Sequence, residues 1–300
     1  FYIGEDGDHS SAAAAAAAEL PAESLVDYAD QALELVGSNG AFQSRYTVLL
    51  TIPWVVCGMQ TMAGVFTTMP PDIRRSCYQQ TDQCDTSPLF RPDCEHRLVF
   101  TFTQPHESLI SDFELICDAS FLVPLLGTIF FLGFLLGVTI LGARADSHGR
   151  RSAYLWSMIF LQSGALVVVL AGNYALYAIG RFITGFGIGG LGLCAYVWNA
   201  EVLGPQSRSN LVVTSNVGFA LGVALLSPLS YWVVTWRRLS GCLFGLGLPI
   251  SFVYLLLESP KWLAARGDAA GLERVLARMA AVNGRPPPPP PPAPREDSGG

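Results

Sequence analysis

The sequence predicts an all-α membrane protein: a six-span helical bundle with a long extracellular loop between spans 1 and 2. Three observations carry this. Hydrophobic residues make up 51% of the 300 and charged residues only 14%, where soluble domains run near a quarter charged. Six apolar runs are each long enough to cross ~30 Å of hydrocarbon. Between two of them lies a polar hinge of only ten residues, Gly142-Ala143-Arg144-Ala145-Asp146-Ser147-His148-Gly149-Arg150-Arg151. Runs of that length joined that tightly read as antiparallel membrane helices.

Residues 1–22 form a tail with seven consecutive alanines, Ala12 to Ala18, read as disordered or weakly helical. The chain opens with Phe1, so a fragment or a processed product is expected, and no charged-then-apolar signal pattern is present. Residues 23–45 hold an amphipathic helix. Leu25, Tyr28, Ala29, Ala32, Leu33 and Val36 fall at helical spacing, and Gly37 and Gly40 end it. It is expected in the cytosol, lying against the membrane surface.

The bundle occupies 46–257. Its first span runs from Tyr46 to Met69, with Pro53 placed to kink it and with Trp54 and Gln60 as its notable aromatic and polar members. Residues 70–119 form the long loop, which holds Cys77, Cys84, Cys94 and Cys117. Their spacings lack a Cys-x-x-Cys pair, which argues against zinc. In an extracellular loop they would form two disulfides, with three pairings open. No Asn-x-Ser/Thr acceptor occurs. The remaining spans run about 121–141, 153–171, 174–200, 211–234 and 239–257. Residues 258–284 read as a cytosolic helical linker, and 285–300, with Pro286 to Pro292, as a disordered tail.

At the hinge, Gly142 and Gly149 permit a sharp turn and close helix approach. Asp146 sits where a carboxylate caps the next helix. Arg150 and Arg151 mark a cytosolic interface. The plain alternative is a generic hairpin loop with arginines. Arginine counting places the hinge, Arg208 and the segment after span six on the richer, cytosolic side with the N-terminus, and the cysteine loop outside.

Gly187-x-Gly189-x-x-Gly192 fits a dinucleotide-binding pattern but sits mid-span with no preceding strand. Helix packing is the better physics. Gly185/Gly189, Gly133/Gly137, Gly218/Gly222 and Gly241/Gly245 each place two glycines on one helix face. Arg181 is the one formal charge inside a span and reads equally as a functional group or as a side chain snorkelling to the outer interface. Glu201 with Gly204 and Arg208, and Glu258 with Arg266, suggest a cytosolic salt-bridge network; solvated loop charge is the alternative. Cys57, Cys194 and Cys242 read as packing residues. All four histidines lie in loops or tails, so no catalytic set, metal site or cofactor site assembles, and the protein reads as no enzyme. No basic cluster suggests nucleic acid.

The hinge resembles the signature loop of the major facilitator superfamily, Gly-x-x-x-Asp-Arg-x-Gly-Arg-Arg, with Ser147 where a basic residue is usual. Arg181-x-x-x-Gly185-x-Gly187 resembles its second motif. The loop ending Ile110-Ser111-Asp112-Phe113-Glu114-Leu115-Ile116-Cys117 resembles Ser-Glu-Trp-Asp-Leu-Val-Cys of the organic cation/anion transporters, solute carrier family 22. Ala200 to Gly204, Glu258 to Leu263 and Ala280 to Gly284 match further segments of that family, and Thr184 to Gly187 is similar to its plant and algal members. The resemblance covers residues 23 to 284 and implies the N-terminal half of a carrier of small organic ions, in the plasma membrane or an endomembrane, working by alternating access. Its substrate cavity would lie against a second six-span half. Trp54, Gln60, Arg181 and Tyr196 are the cavity candidates, the aromatics by cation–π contact. The conformational gate would comprise Gly142, Asp146, Gly149, Arg150, Arg151, Glu201, Arg208, Glu258 and Arg266. The alternatives are a sugar or phosphate porter, or a truncated receptor or regulatory protein.

Overall fold

The computed structural model describes residues 22–37, 40–69, 73–77, 98–102, 108–115, 119–203, 209–251 and 258–290. Helix α1 (Ala22–Val36) leads into α2 (Ala41–Thr67). Within the long loop, β1 (Ile73–Cys77) and β2 (Leu98–Phe102) pair antiparallel, Ile73 opposite Phe102, and α3 (Leu109–Asp112) follows. The bundle continues with α4 (Leu122–His148), α5 (Arg150–Leu170), α6 (Tyr174–Val202), α7 (Ser209–Trp232) and α8 (Trp236–Ile250). Two short helices close the described chain, α9 (Pro260–Ala265) and α10 (Ala269–Asn283).

Five of these helices, α2 and α4 to α7, are long and apolar enough to cross a membrane. The sixth expected span is α8, with 15 described residues; residues 252–257 lie outside the described set. Leu132, Leu135, Val213, Tyr231 and Trp232 are all more than half exposed, as lipid-facing side chains are. The ribbon β1–β2 is the one departure from an all-helical architecture among the described residues.

Glycine sets how the spans meet. Gly133 and Gly137 on α4 face the backbone carbonyls of Phe182 and Phe186, and Gly185 and Gly189 on α6 face those of Phe130 and Phe134. A Cβ at any of the four would press within 3.0 Å of a carbonyl oxygen. The two expected glycine pairs therefore pack against each other. Gly222 on α7 meets the carbonyl of Val55 on α2, while Gly58 on α2 meets that of Phe219 on α7. The fourth pair, Gly241 and Gly245, has no neighbour within 4 Å among the described residues.

The amphipathic face of α1 is covered by protein, not by the membrane surface as expected. Leu25, Ala29, Leu33 and Val36 are fully buried in one core with Leu272, Leu276 and Met279 of α10. A helix with an apolar stripe buries it against whatever apolar face is nearest, and here that is the segment after the last span. Asn283 fastens the arrangement. Its Oδ1 accepts from the Phe42 backbone N–H (2.8 Å), and its Nδ2 donates to the Val36 carbonyl (3.0 Å) and to Gln43 Oε1 (2.9 Å). Lys261 pairs with Asp30. The helix break between α1 and α2 is thus held by residues some 240 positions away.

Candidate functional site

The hinge is narrower than its ten residues suggest. Helix α4 continues to His148, α5 starts at Arg150, and the whole reversal is made by Gly149 at φ +94°. That φ favours glycine. Gly149 also needs its missing side chain: a Cβ there would meet Glu258 Oε2 at 2.7 Å and the Trp262 ring at 3.3 Å. Gly142 lies inside α4, not in a turn, and makes room for Leu193.

So sharp a reversal leaves the last carbonyls of α4 and the first N–H groups of α5 without helical partners. The segment Glu258 to Arg266 satisfies both. Glu258 accepts from the backbone N–H of Arg150 (3.1 Å), of Arg151 (3.3 Å) and of Ser259 (3.0 Å). The Trp262 indole donates to the Asp146 carbonyl (3.2 Å), and the Arg266 guanidinium to the Ser147 carbonyl while lying over the Trp262 ring (5.3 Å). Ser259 in turn caps α9, accepting from the Trp262 N–H (3.2 Å). Burial pushes the Glu258 carboxyl above its usual range, against the opposing effect of those three N–H donors.

Asp146 therefore does not cap α5, as the sequence suggested; Glu258 does. Asp146 sits inside the last turn of α4 and pairs with Arg150 Nη1 at 2.7 Å, its side chain 78% exposed. The heavier partner of Arg150 is Glu201 at the end of α6: Arg150 Nη2 donates to Oε1 at 2.7 Å and Nε to Oε2 at 3.1 Å. Side-chain exposure there is 10% for Arg150 and 15% for Glu201. The forked geometry is the strong form of the interaction. Of the gate candidates, Gly149, Arg150, Arg151, Glu201, Glu258, Asp146 and Arg266 converge, and Arg208 lies outside the described residues along with Gly204. Trp262 belongs with them; its place in Glu258-Ser259-Pro260-Lys261-Trp262-Leu263 was visible, its donor role was not.

The cavity candidates separate into two places. Gln60 and Arg181 line a small cleft between α2, α5, α6 and α8, with Thr67, Tyr177, Thr184 and Ser240. Arg181 is 5% exposed, so it does not snorkel to an interface. Its Nη1 donates to the Gln60 carbonyl (3.2 Å), and its guanidinium lies over the Phe130 ring (4.3 Å). Trp54 stands apart from this cleft, its ring 3.6 Å from where a Cβ on Gly192 would lie. Tyr196, one turn further along α6, is 37% exposed.

The loop end packs against Tyr177, one of the residues lining the cleft. Ser108 and Ser111 form a capping box on α3. Asp112 accepts from the Trp236 indole (3.2 Å) and from Arg237 (3.1 Å), and Phe113, Tyr177 and Trp236 stack among themselves. Cys84, Cys94 and Cys117 lie outside the described residues, and Cys77 ends β1. Cys57 and Cys194 are buried in the bundle.

Residues 55–290 match the family model for sugar (and other) transporters. A solute carrier family 22 member 15-like protein of Xenopus laevis is 32% identical over 259 residues, 85% of this chain and 51% of that protein. Organic cation/carnitine transporter 4 of Arabidopsis thaliana is 29% identical, over 83% of this chain and 47% of that one. A beta-alanine transporter of Drosophila melanogaster is 30% identical, over 72% and 36%. Among solved structures, the proton:xylose symporter XylE superposes with a TM-score of 0.60 at 18% identity, covering 82% of this chain and 50% of XylE. The chain spans about half the length of the curated relatives it matches. An integral multi-pass membrane protein, it belongs to the sugar (and other) transporter family.

Proposed function

We propose that this six-span bundle forms one wall of a carrier that moves small organic ions, organic ammonium compounds above all, by alternating access. The observation that supports it most is the hinge-end lock. One arginine and three carboxylates tie α4, α5, α6 and the segment after α8 into a unit at one end of the bundle, while the Tyr196 side chain on α6 is 37% exposed. A rocking carrier needs such a unit at the end that opens and closes. The hinge end lies in the cytosol with the N-terminus, and the cysteine loop lies outside with two disulfides. Trp54 and Tyr196 hold an organic cation from this wall by cation–π contact. The names of the relatives, organic cation/carnitine and beta-alanine transporters, favour this substrate class over a sugar. A second six-span bundle supplies the opposite wall, so residues 1–300 alone do not transport.

The test is uptake of labelled carnitine, a polyamine and a hexose by the full-length gene product in proteoliposomes. Saturable uptake of an ammonium compound is expected; uptake of hexose alone overturns the reading. Saturable uptake by residues 1–300 alone points to a homodimer instead. An epitope at Ser87 reached only after permeabilisation inverts the topology.

A further inference from the structure

We propose that the cleft around Arg181 is a binding site for a small monovalent anion, of the size and charge of chloride. Arg181 lies seven residues into α6, roughly 10 Å along the helix from its start. A guanidinium carries five N–H donors and stays charged under all protein conditions. Here one N–H goes to the Gln60 carbonyl and one face of the group to Phe130. None of the ion pairs among the described residues includes Arg181. Between residues 46 and 257, acidic side chains occur only in the loop and at helix ends, none within the spans beside it.

A buried charge left without a counter-charge is costly, and the lining shows what would relieve it. Thr67, Thr184 and Ser240 give their protons to the main-chain carbonyls of Gly64, Gly180 and Trp236. The lining residues that carry further side-chain N–H donors are Arg181 and Gln60. Gly64 keeps the space open, since a Cβ there would stand 3.2 Å from Arg181 Nη2. The cleft has room for one small ion and lies away from Trp54 and Tyr196, so this inference stands independently of the proposed substrate. Tyr177, which bonds Thr67 (3.1 Å) and stacks on Trp236, links the site to the loop end.

The test is thermal unfolding of the purified full chain in neutral detergent, titrating chloride, and separately acetate, against gluconate at constant ionic strength. A saturable rise of a few degrees in Tm is expected once the anion exceeds its Kd about tenfold. A response to chloride that acetate does not match supports the site; an equal or larger response to acetate overturns it. Arg181→Gln abolishes the response. Thr184→Asp, which places a carboxylate three residues along the same wall, also abolishes it while leaving Tm in gluconate at or above that of the unmodified chain. Equal Tm in all three salts, or an undiminished response in Arg181→Gln, overturns the proposal and leaves a cleft that holds only water.

Discussion

Two arginines of this bundle are almost equally buried, Arg150 at 9% exposure and Arg181 at 5%, and they are provided for in opposite ways. Arg150 stands at the hinge between α4 and α5, with Glu201 in a forked pair and Asp146 on its other side. Arg181 stands inside the bundle with a carbonyl and an aromatic face and no described carboxylate. Fixed partners of opposite charge make the first a fastening, whose loss leaves charges stranded. A guanidinium without fixed counter-charge contributes little to holding the fold and is available for a ligand. The same side chain at similar burial thus serves different ends, and the neighbours decide which.

The contrast breaks most readily at Glu201. Glu201→Gln strands Arg150 in a site of 10% side-chain exposure, and removal of one partner from a buried pair costs about 3–5 kcal/mol. Thermal unfolding in detergent should show the largest fall in Tm of the variants considered. A shift no bigger than that of Asp146→Asn would mean that Glu201 is not the principal partner.

Glu258→Gln keeps an acceptor for the N–H groups of Arg150 and Arg151 and removes a charge that the α5 terminus favours but burial disfavours, so its effect on Tm at neutral pH should be smaller than that of Glu201→Gln. Its pH dependence has a definite sign. Burial raises the folded carboxyl above the ordinary 4.5, so the folded state binds the proton more readily than the unfolded state does. The stability this adds is fully present below 4.5 and is lost as pH rises through the folded value. The Tm difference between the unmodified chain and Glu258→Gln should therefore change between neutral pH and 4.5, in favour of the unmodified chain at low pH. A pH-independent difference would place the carboxylate in solvent.

Asp146→Asn touches the same arginine from an exposed position, 78% accessible, where ion pairs contribute at most about 1 kcal/mol. Its Tm should barely move. In the complete carrier it should still reduce uptake at unchanged surface expression if the hinge gates transport. Unchanged uptake would leave the hinge as scaffold only. Arg181→Gln should lower Tm least of all when measured in gluconate, or raise it, because it removes a buried charge that has no fixed partner. A fall as large as that of Glu201→Gln would erase the distinction between the two arginines.

The sequence by itself determined five of the six expected spans, because hydropathy and run length are local properties that the bilayer reads directly. It also marked α4 and α6 as able to let a neighbour approach closely, since glycines four apart make a flat face; that Gly133/Gly137 and Gly185/Gly189 face each other, while Gly241/Gly245 face nothing among the described residues, is a property of the fold. Tertiary structure alone decided which groups serve the helix ends. Asp146 stands four residues from Arg150 and looked like the cap of α5, yet the cap is Glu258, 108 residues along the chain. Asn283 and Trp262 act over similar distances, on the α1–α2 break and on the end of α4. The apolar stripe of α1 was legible, but a stripe does not say whether lipid or another helix covers it. Arg181 was legible as a charge within a span. Whether it reaches an interface or stays inside depends on Gln60, Phe130 and Gly64, and only the packing of α2 and α4 against α6 brings those residues to it.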